Sequence, residues 1–179
     1  SSNGISLDRF IDICLFSQDG YYKKSKLIGK EGDFTTSPEI SQLFGEILGI
    51  YIYNLWQKNI NTNFNLIELG PGRGTLISDI LRITKSFDQF HNSMKINLIE
   101  INKKLIKLQK KNLDKINFNL KKIIWHDSFN TISSKPSIIF ANEFFDCFPI
   151  KQFIKTNYLW NEKKLILIKR KKVYLFIIL

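Results

Sequence analysis

The stretch Asn65–Arg82, "NLIELGPGRGTLISDILR", decides the fold. An apolar run closes on an acid, Glu68. Glycines follow at alternate positions, Gly70, Gly72 and Gly74, and an amphipathic run then begins. The apolar spacing changes there from nearly continuous to every third and fourth residue, which predicts a strand, a tight loop and a helix over 75–83. Loops of this kind hold small molecules at a helix N-terminus, and nucleotide phosphates, dinucleotides and S-adenosylmethionine all use them.

The residues around the glycines separate these ligands. A phosphate-cradling P-loop places Lys and Ser/Thr after its last glycine. Here Gly74 is followed by Thr75 and Leu76. The dinucleotide fingerprint is G-x-G-x-x-G, whereas Gly70, Gly72 and Gly74 give G-x-G-x-G with Glu68 two residues ahead. This E-x-G-x-G-x-G pattern resembles motif I of the class I S-adenosylmethionine-dependent methyltransferases. The chemistry is consistent with it. A pyrophosphate is repelled by a nearby acid, while a sulfonium and an ammonium are held by one. Glycines also let the backbone approach the ligand closely.

Working outward, apolar strands alternate with helices. "KINLIEI" reads as a second strand, "NKKLIKLQKKNLDK" as a helix with Ile101, Leu105 and Leu108 inward, "LKKIIWH" as a third strand and "SIIFANEF" as a fourth. Nearly continuous apolar strands separated by helices predict a parallel sheet covered on both faces. Its carboxyl edge is where ligands bind. Glu100 ends the second strand and could accept from both ribose hydroxyls; a solvated strand end is the plainer alternative. Asp127, with Ser128 beside it, follows the third strand and could take the adenine amino group, or could simply cap a turn. Asn142 sits at the tip of the fourth. Glu68, Gly70, Gly72, Gly74, Glu100, Asp127, Ser128 and Asn142 are therefore the candidate cofactor-binding residues.

On the N-terminal side, residues 6–16 read as a short helix. A polar, glycine-bearing loop leads to a strong helical pattern: Ile40, Leu43, Phe44, Ile47, Leu48, Tyr51, Ile52, Leu55 and Trp56. Ser37 can cap it and Pro38 suits its first position. After Pro149 the texture changes to "KQFIKTNYLW", "KKLILIKR" and "KKVYLFIIL", alternating strands joined by tight turns, hence hairpins. The expected fold is α/β: a Rossmann-like class I methyltransferase sheet with N-terminal helices and a β-hairpin extension, incomplete at its C-terminus. The expected division is 1–64 as a helical cap with a cofactor-covering loop, 65–150 as the cofactor-binding core, and 151–179 as the hairpin extension.

Composition adds bounds. A chain of 179 residues, 44% hydrophobic, can build a real core. The formal charge of +11 suits an anionic partner. Yet there are 23 Lys and 29 Ile against 4 Arg, the skew that AT-rich codons produce without any partner selecting it. Cys14 and Cys147 are too few for a disulfide framework or a zinc site. No apolar run is long enough to span a membrane. His91 and His126 lack partners at metal-ligand spacing.

Three longer motifs carry a closer resemblance. "GDFTTSPEISQLFGEILG" (32–49), "ELGPGRGTLISDILR" (68–82) and "ANEFFDCFPIKQF" (141–153) closely resemble the MidA-like family, the mitochondrial complex I assembly-factor methyltransferases and their bacterial relatives. The similarity runs from about Gly20 to about Glu162. It implies S-adenosylmethionine as cofactor and a protein substrate. For the mitochondrial member it implies symmetric dimethylation of an arginine on a core complex I subunit, in the matrix; a bacterial member would be cytoplasmic. Family members are longer than this chain, and the segment between Phe118 and Ser137 is short for the family.

An arginine acceptor is cationic and a poor nucleophile, so carboxylates must orient it and draw its charge onto the idle nitrogens. "ANEFFD" supplies them at the tip of the fourth strand. Glu143 is the expected principal clamp and Asp146 the second, with Phe144 and Phe145 as walls. Asp33, Ser37 and Glu39 are expected near the methionine end or the acceptor, and Arg73 pairs either with the cofactor carboxylate or with a local acid. Two other functions compete. One is nucleic-acid methylation, encouraged by lysines on 102–115 and 163–172 but lacking interleaved aromatics and an N/D-P-P-Y/F signature. The other is a non-catalytic cofactor-binding assembly module. A homo-oligomer is possible on any of these readings.

Overall fold

The computed structural model describes residues 4–21, 37–170 and 173–178. The chain divides into two compact units, one of residues 28–144 and one of residues 1–27 with 145–179. The helices near residues 37–59 thus go with the sheet, and the N-terminal helix goes with the hairpins.

In the first unit, four strands pair in parallel: β2 (Phe64–Leu69), β3 (Met94–Ile99), β4 (Ile123–His126) and β5 (Ser137–Ala141), in the order β4-β3-β2-β5. Glu68 is level with Leu98 on one side and Phe140 on the other. The crossovers carry α4 (Thr75–Ile83), α5 (Asp88–Ser93) and α6 (Lys103–Lys115). Both steps, β2 to β3 and β3 to β4, run the same way along the sheet. Right-handed crossovers therefore place these helices on one face. That face holds the core: Phe64, Leu66, Ile96 and Leu98 from the strands meet Ile77, Ile80, Leu81, Phe90 and Leu113 from the helices.

The other face receives no helix from the connection that leads to β5. The β4–β5 connection contains only a short 3-10 turn, Phe129–Thr131. It crosses a row of polar side chains instead. Asn97 Nδ2 donates to Asn65 Oδ1 at 3.3 Å, Asn97 Oδ1 lies 2.9 Å from His126 Nε2, and His126 Nδ1 lies 2.6 Å from Thr131 Oγ1. Asn65 in turn donates to the Ser133 carbonyl at 3.0 Å. Both asparagines are buried, which is tolerable because their amides are satisfied. Ile139 on this face is 49% exposed.

The expected long helix is broken. Ser37–Ile40 forms a single turn, α2; Ser41 is extended (φ −143°, ψ 121°); α3 then runs from Gln42 to Asn59. Only part of the apolar stripe read from sequence is buried, Ile52 and Trp56, and two glycines join it. Leu43, Ile47 and Tyr51 are 59%, 62% and 59% exposed, while Gly45, Gly49, Ile52 and Trp56 are buried. The glycines explain this. A Cβ at Gly45 would stand 2.5 Å from Asp79 Cβ, and one at Gly49 would stand 2.6 Å from Ile83 Cγ2. Close approach of two helices through small residues outweighed the larger apolar face. Arg82 closes the contact, reaching Asp79 at 2.9 Å and Glu46 at 3.1 Å.

The second unit holds β1 (Ile5–Ser6), α1 (Leu7–Phe16) and four strands, β6 (Phe153–Thr156), β7 (Leu159–Glu162), β8 (Lys164–Arg170) and β9 (Val173–Ile178). As the alternation implies, β6 pairs antiparallel with β7 and β8 with β9; β1 adds to the far side of β8. The β6–β7 turn has two central residues at positive φ, Asn157 (46°) and Tyr158 (66°), the twist that a two-residue hairpin prefers. No helix among the described residues is long and apolar enough to cross a membrane.

Candidate cofactor and acceptor site

Because the four strands are parallel, the ends of β2, β3, β4 and β5 share one edge, and the sequence-selected residues of this unit collect there. The glycine loop follows β2. Gly70, Gly72 and Gly74 all have positive φ (64°, 55° and 77°), a conformation that costs other residues free energy. Gly70 is constrained twice, since an added Cβ would stand 2.4 Å from Phe144 Cδ2. The Gly74 N–H donates to the Pro71 carbonyl at 2.7 Å, and Gly74 itself caps α4.

A cleft opens between this loop and the tip of β5. Pro38, Glu39, Glu68, Arg73, Thr75, Asn142 and Glu143 line it, together with the loop itself. Three carboxylates and one guanidinium therefore share its walls. Glu39, carried by α2, accepts from Thr75 Oγ1 at 2.7 Å and lies 3.9 Å from Arg73 Nε. Of the two partners the sequence leaves open for Arg73, the local acid Glu39 lies within ion-pair reach. Glu143 sits at φ 49°, unusual for a non-glycine residue and a form of strain that gathers at functional sites. It is exposed at the strand tip.

Glu68 is the most unusual group in the cleft. It is 3% exposed, and its Oε2 has no hydrogen-bond partner among the described residues. Burial alone pushes its carboxyl up to about 8. A buried acid without a donor or a cation is unfavourable as carboxylate. It becomes favourable as carboxylate once a positive group enters. The charge demanded is that of an ammonium or sulfonium, so the residues present fit S-adenosylmethionine.

The remaining candidates are not among the residues lining this cleft. Glu100 Oε1 accepts from the Asn102 N–H at 2.8 Å, and Oε2 lies 3.4 Å from Gln109 Nε2; burial raises its carboxyl, opposed by these bonds. Asp127 is exposed beyond β4, and the Ser128 hydroxyl accepts from the Asn130 N–H at 3.4 Å, capping the following turn. Asp146 belongs to the other unit, exposed in the turn Phe145–Cys147. Ser37 is exposed at the start of α2; Asp33 lies outside the described residues. Ile101, expected inward, is 68% exposed, and the inward residues of α6 are Gln109 and Leu113. Sequence reasoning missed Gln109, although it stands midway between Leu105 and Leu113 at helical spacing. A polar residue in an inward stripe was the available signal.

Residues 47–172 match the family described as "Putative S-adenosyl-L-methionine-dependent methyltransferase". The chain belongs to this family. Its members use S-adenosyl-L-methionine. The chain is 37% identical over 166 residues to the human mitochondrial protein arginine methyltransferase NDUFAF7 and 36% identical to the bovine one. In each case the match covers 80% of this chain and 37% of the relative, so the chain spans well under half the length of the relatives it matches. The fold is that of a COG1565 superfamily member from Burkholderia thailandensis bound to S-adenosyl-homocysteine (TM-score 0.79, 20% identity, 99% of this chain and 46% of that one).

Proposed function

We propose that this chain binds S-adenosylmethionine at the glycine-loop edge and takes part in methylating a protein arginine. The carrying observation is the cleft itself: Glu39, Glu68 and Glu143 converge where the loop meets the tip of β5. Relatives described as protein arginine methyltransferases support the choice of acceptor. The finer reading, which rests on the resemblance, is symmetric dimethylation of a complex I subunit within mitochondria.

The cofactor, when bound, supplies an electrophilic methyl group on a sulfonium. Glu68 would hold its positive charge and Gly70, Gly72 and Gly74 would admit its backbone-like portion. Glu100 would take the ribose and Asp127 the adenine. At the acceptor, the guanidinium is permanently charged, so its nitrogens attack only when that charge is drawn away from one of them. Glu143 would pair with the idle nitrogens and leave the third facing the methyl group. The nitrogen that received the cofactor's methyl group would release one proton to solvent. Most of the acceleration is positioning and electrostatics. Glu39, tied to Thr75 and Arg73, would form the opposite wall.

Incubating the protein with radiolabelled cofactor and candidate acceptor proteins tests the proposal. Label should appear on arginine, and Glu143→Gln should abolish transfer while S-adenosylhomocysteine affinity stays within about twofold. Wild-type transfer by Glu143→Gln would sink the clamp. Label on RNA instead of protein would favour the competing reading.

A further inference from the structure

A buried amide behind the glycine loop carries an inference beyond the assignments above. Gln109 is 0% exposed, on a helix whose lysines are exposed. Trp125 Nε1 donates to Gln109 Oε1 at 2.8 Å. An indole nitrogen can only donate, so the amide oxygen must face β4. The amide nitrogen must then face the other way. It donates to the Gly72 carbonyl at 2.8 Å and points at Glu100 Oε2, 3.4 Å distant. One turn on, Asn112 Nδ2 donates to the Arg73 carbonyl at 3.0 Å. A Cβ at Gly74 would stand 3.2 Å from Gln109 Cγ. The glycine loop is thus seated on α6, through consecutive carbonyls and through contact at Gly74.

We infer that Gln109 is a positioning residue for the cofactor: its amide locks the glycine loop and the Glu100 carboxylate into one preset arrangement, and Trp125 fixes which way that amide points. The inference rests on the reading that the loop and Glu100 hold S-adenosylmethionine. Its physical basis is preorganisation. Neither the loop carbonyls nor the carboxylate has to be reoriented when the cofactor arrives, so their ordering is not charged against binding. A lysine-rich helix then acquires a specific task on its inner side, separate from the solvated charge outside.

Calorimetry with S-adenosylhomocysteine on the whole chain tests this. Gln109→Met keeps the length and apolar stem but removes every hydrogen bond; affinity should fall about tenfold, the loss expected for two directed bonds. Trp125→Phe keeps Gln109 but frees its orientation, and should cost about threefold. In a Glu100→Ala background the Gln109→Met penalty should shrink at least about twofold, because part of its effect passes through Glu100. A residue that merely packs α6 would shift melting temperature without this coupling. Unchanged affinity in Gln109→Met, or an undiminished penalty beside Glu100→Ala, would overturn the inference. Should Gln109→Met fail to fold, unchanged affinity in Trp125→Phe would do the same. A wild-type chain that does not bind S-adenosylhomocysteine would instead overturn the cofactor reading beneath it.

Discussion

Glu68 and Glu100 end neighbouring strands of one sheet, and the fold treats them in opposite ways. Glu68 is sealed from water with an oxygen that has no hydrogen-bond partner among the described residues, while Glu100 has both oxygens approached by donors. Burial raises both carboxyls, Glu68 to about 8, while at Glu100 the bonds from Asn102 and Gln109 oppose the rise. The difference separates two strategies within one binding edge. One acid is left chemically incomplete, so that a cation completes it. The other is completed in advance, so that its geometry is fixed before any ligand comes.

The contrast breaks most readily under pH. With Glu68 protonated below about 8, a cationic cofactor must displace that proton. Affinity should therefore rise about tenfold per unit up to that pH and then level, roughly a hundredfold between pH 6 and 8. Calorimetry in buffers of different ionisation enthalpy should show a proton released on binding. Glu68→Gln should flatten this profile; an unaltered slope would mean that another group titrates. Stability should follow the same group with opposite sense. Its folded value lies above its unfolded one, so the folded chain holds a proton that the unfolded chain has lost. Stability is then fully present below the ordinary 4.5 and declines as pH climbs through 8. At pH 7, Glu68→Gln should be more stable by something on the order of 3 kcal/mol in urea denaturation.

A smaller effect tests the loop between the two acids. Gly70→Ala must place a side chain at φ 64° and against the Phe144 ring, and should lose about 2–3 kcal/mol. Phe144→Ala should restore the steric part of that loss but not the conformational part. Full restoration would show that the backbone angle is harmless. Smallest is Glu100→Gln, with affinity reduced about fivefold and little pH dependence. A loss as steep in pH as that at Glu68 would erase the distinction between the two acids.

How far the sequence reveals this depends on the range of the forces involved. Glu68, the glycines and the strand–loop–helix order were legible because backbone freedom and apolar periodicity are local. Glu100 and Glu143 could be placed by counting strands, since a parallel sheet sends every carboxyl end to one edge. What escaped depended on contacts between distant elements. The whole apolar stripe of α3 looked like its inner face, yet the approach of Gly45 to Asp79 and of Gly49 to Ile83 leaves Leu43, Ile47 and Tyr51 outside while Ile52 and Trp56 stay buried. Gln109 looked like one polar residue among lysines, because its partners Gly72, Glu100 and Trp125 lie on three other segments. The break at Ser41, which sets Glu39 on its own turn, has no marker in composition at all.

The chain of amides and imidazole across the second sheet face has a consequence for how the strands find their alignment. Asn65, Asn97 and His126 fit one another only when β2, β3 and β4 stand at the observed offsets. A slip of one residue in β3 would swing Asn97 into the oily layer and bring Ile96 among the amides. Apolar contacts alone forgive such slippage between similar side chains. A dovetail of polar groups does not, so this small seam acts as the sheet's indexing pin and keeps the rim of acids in step.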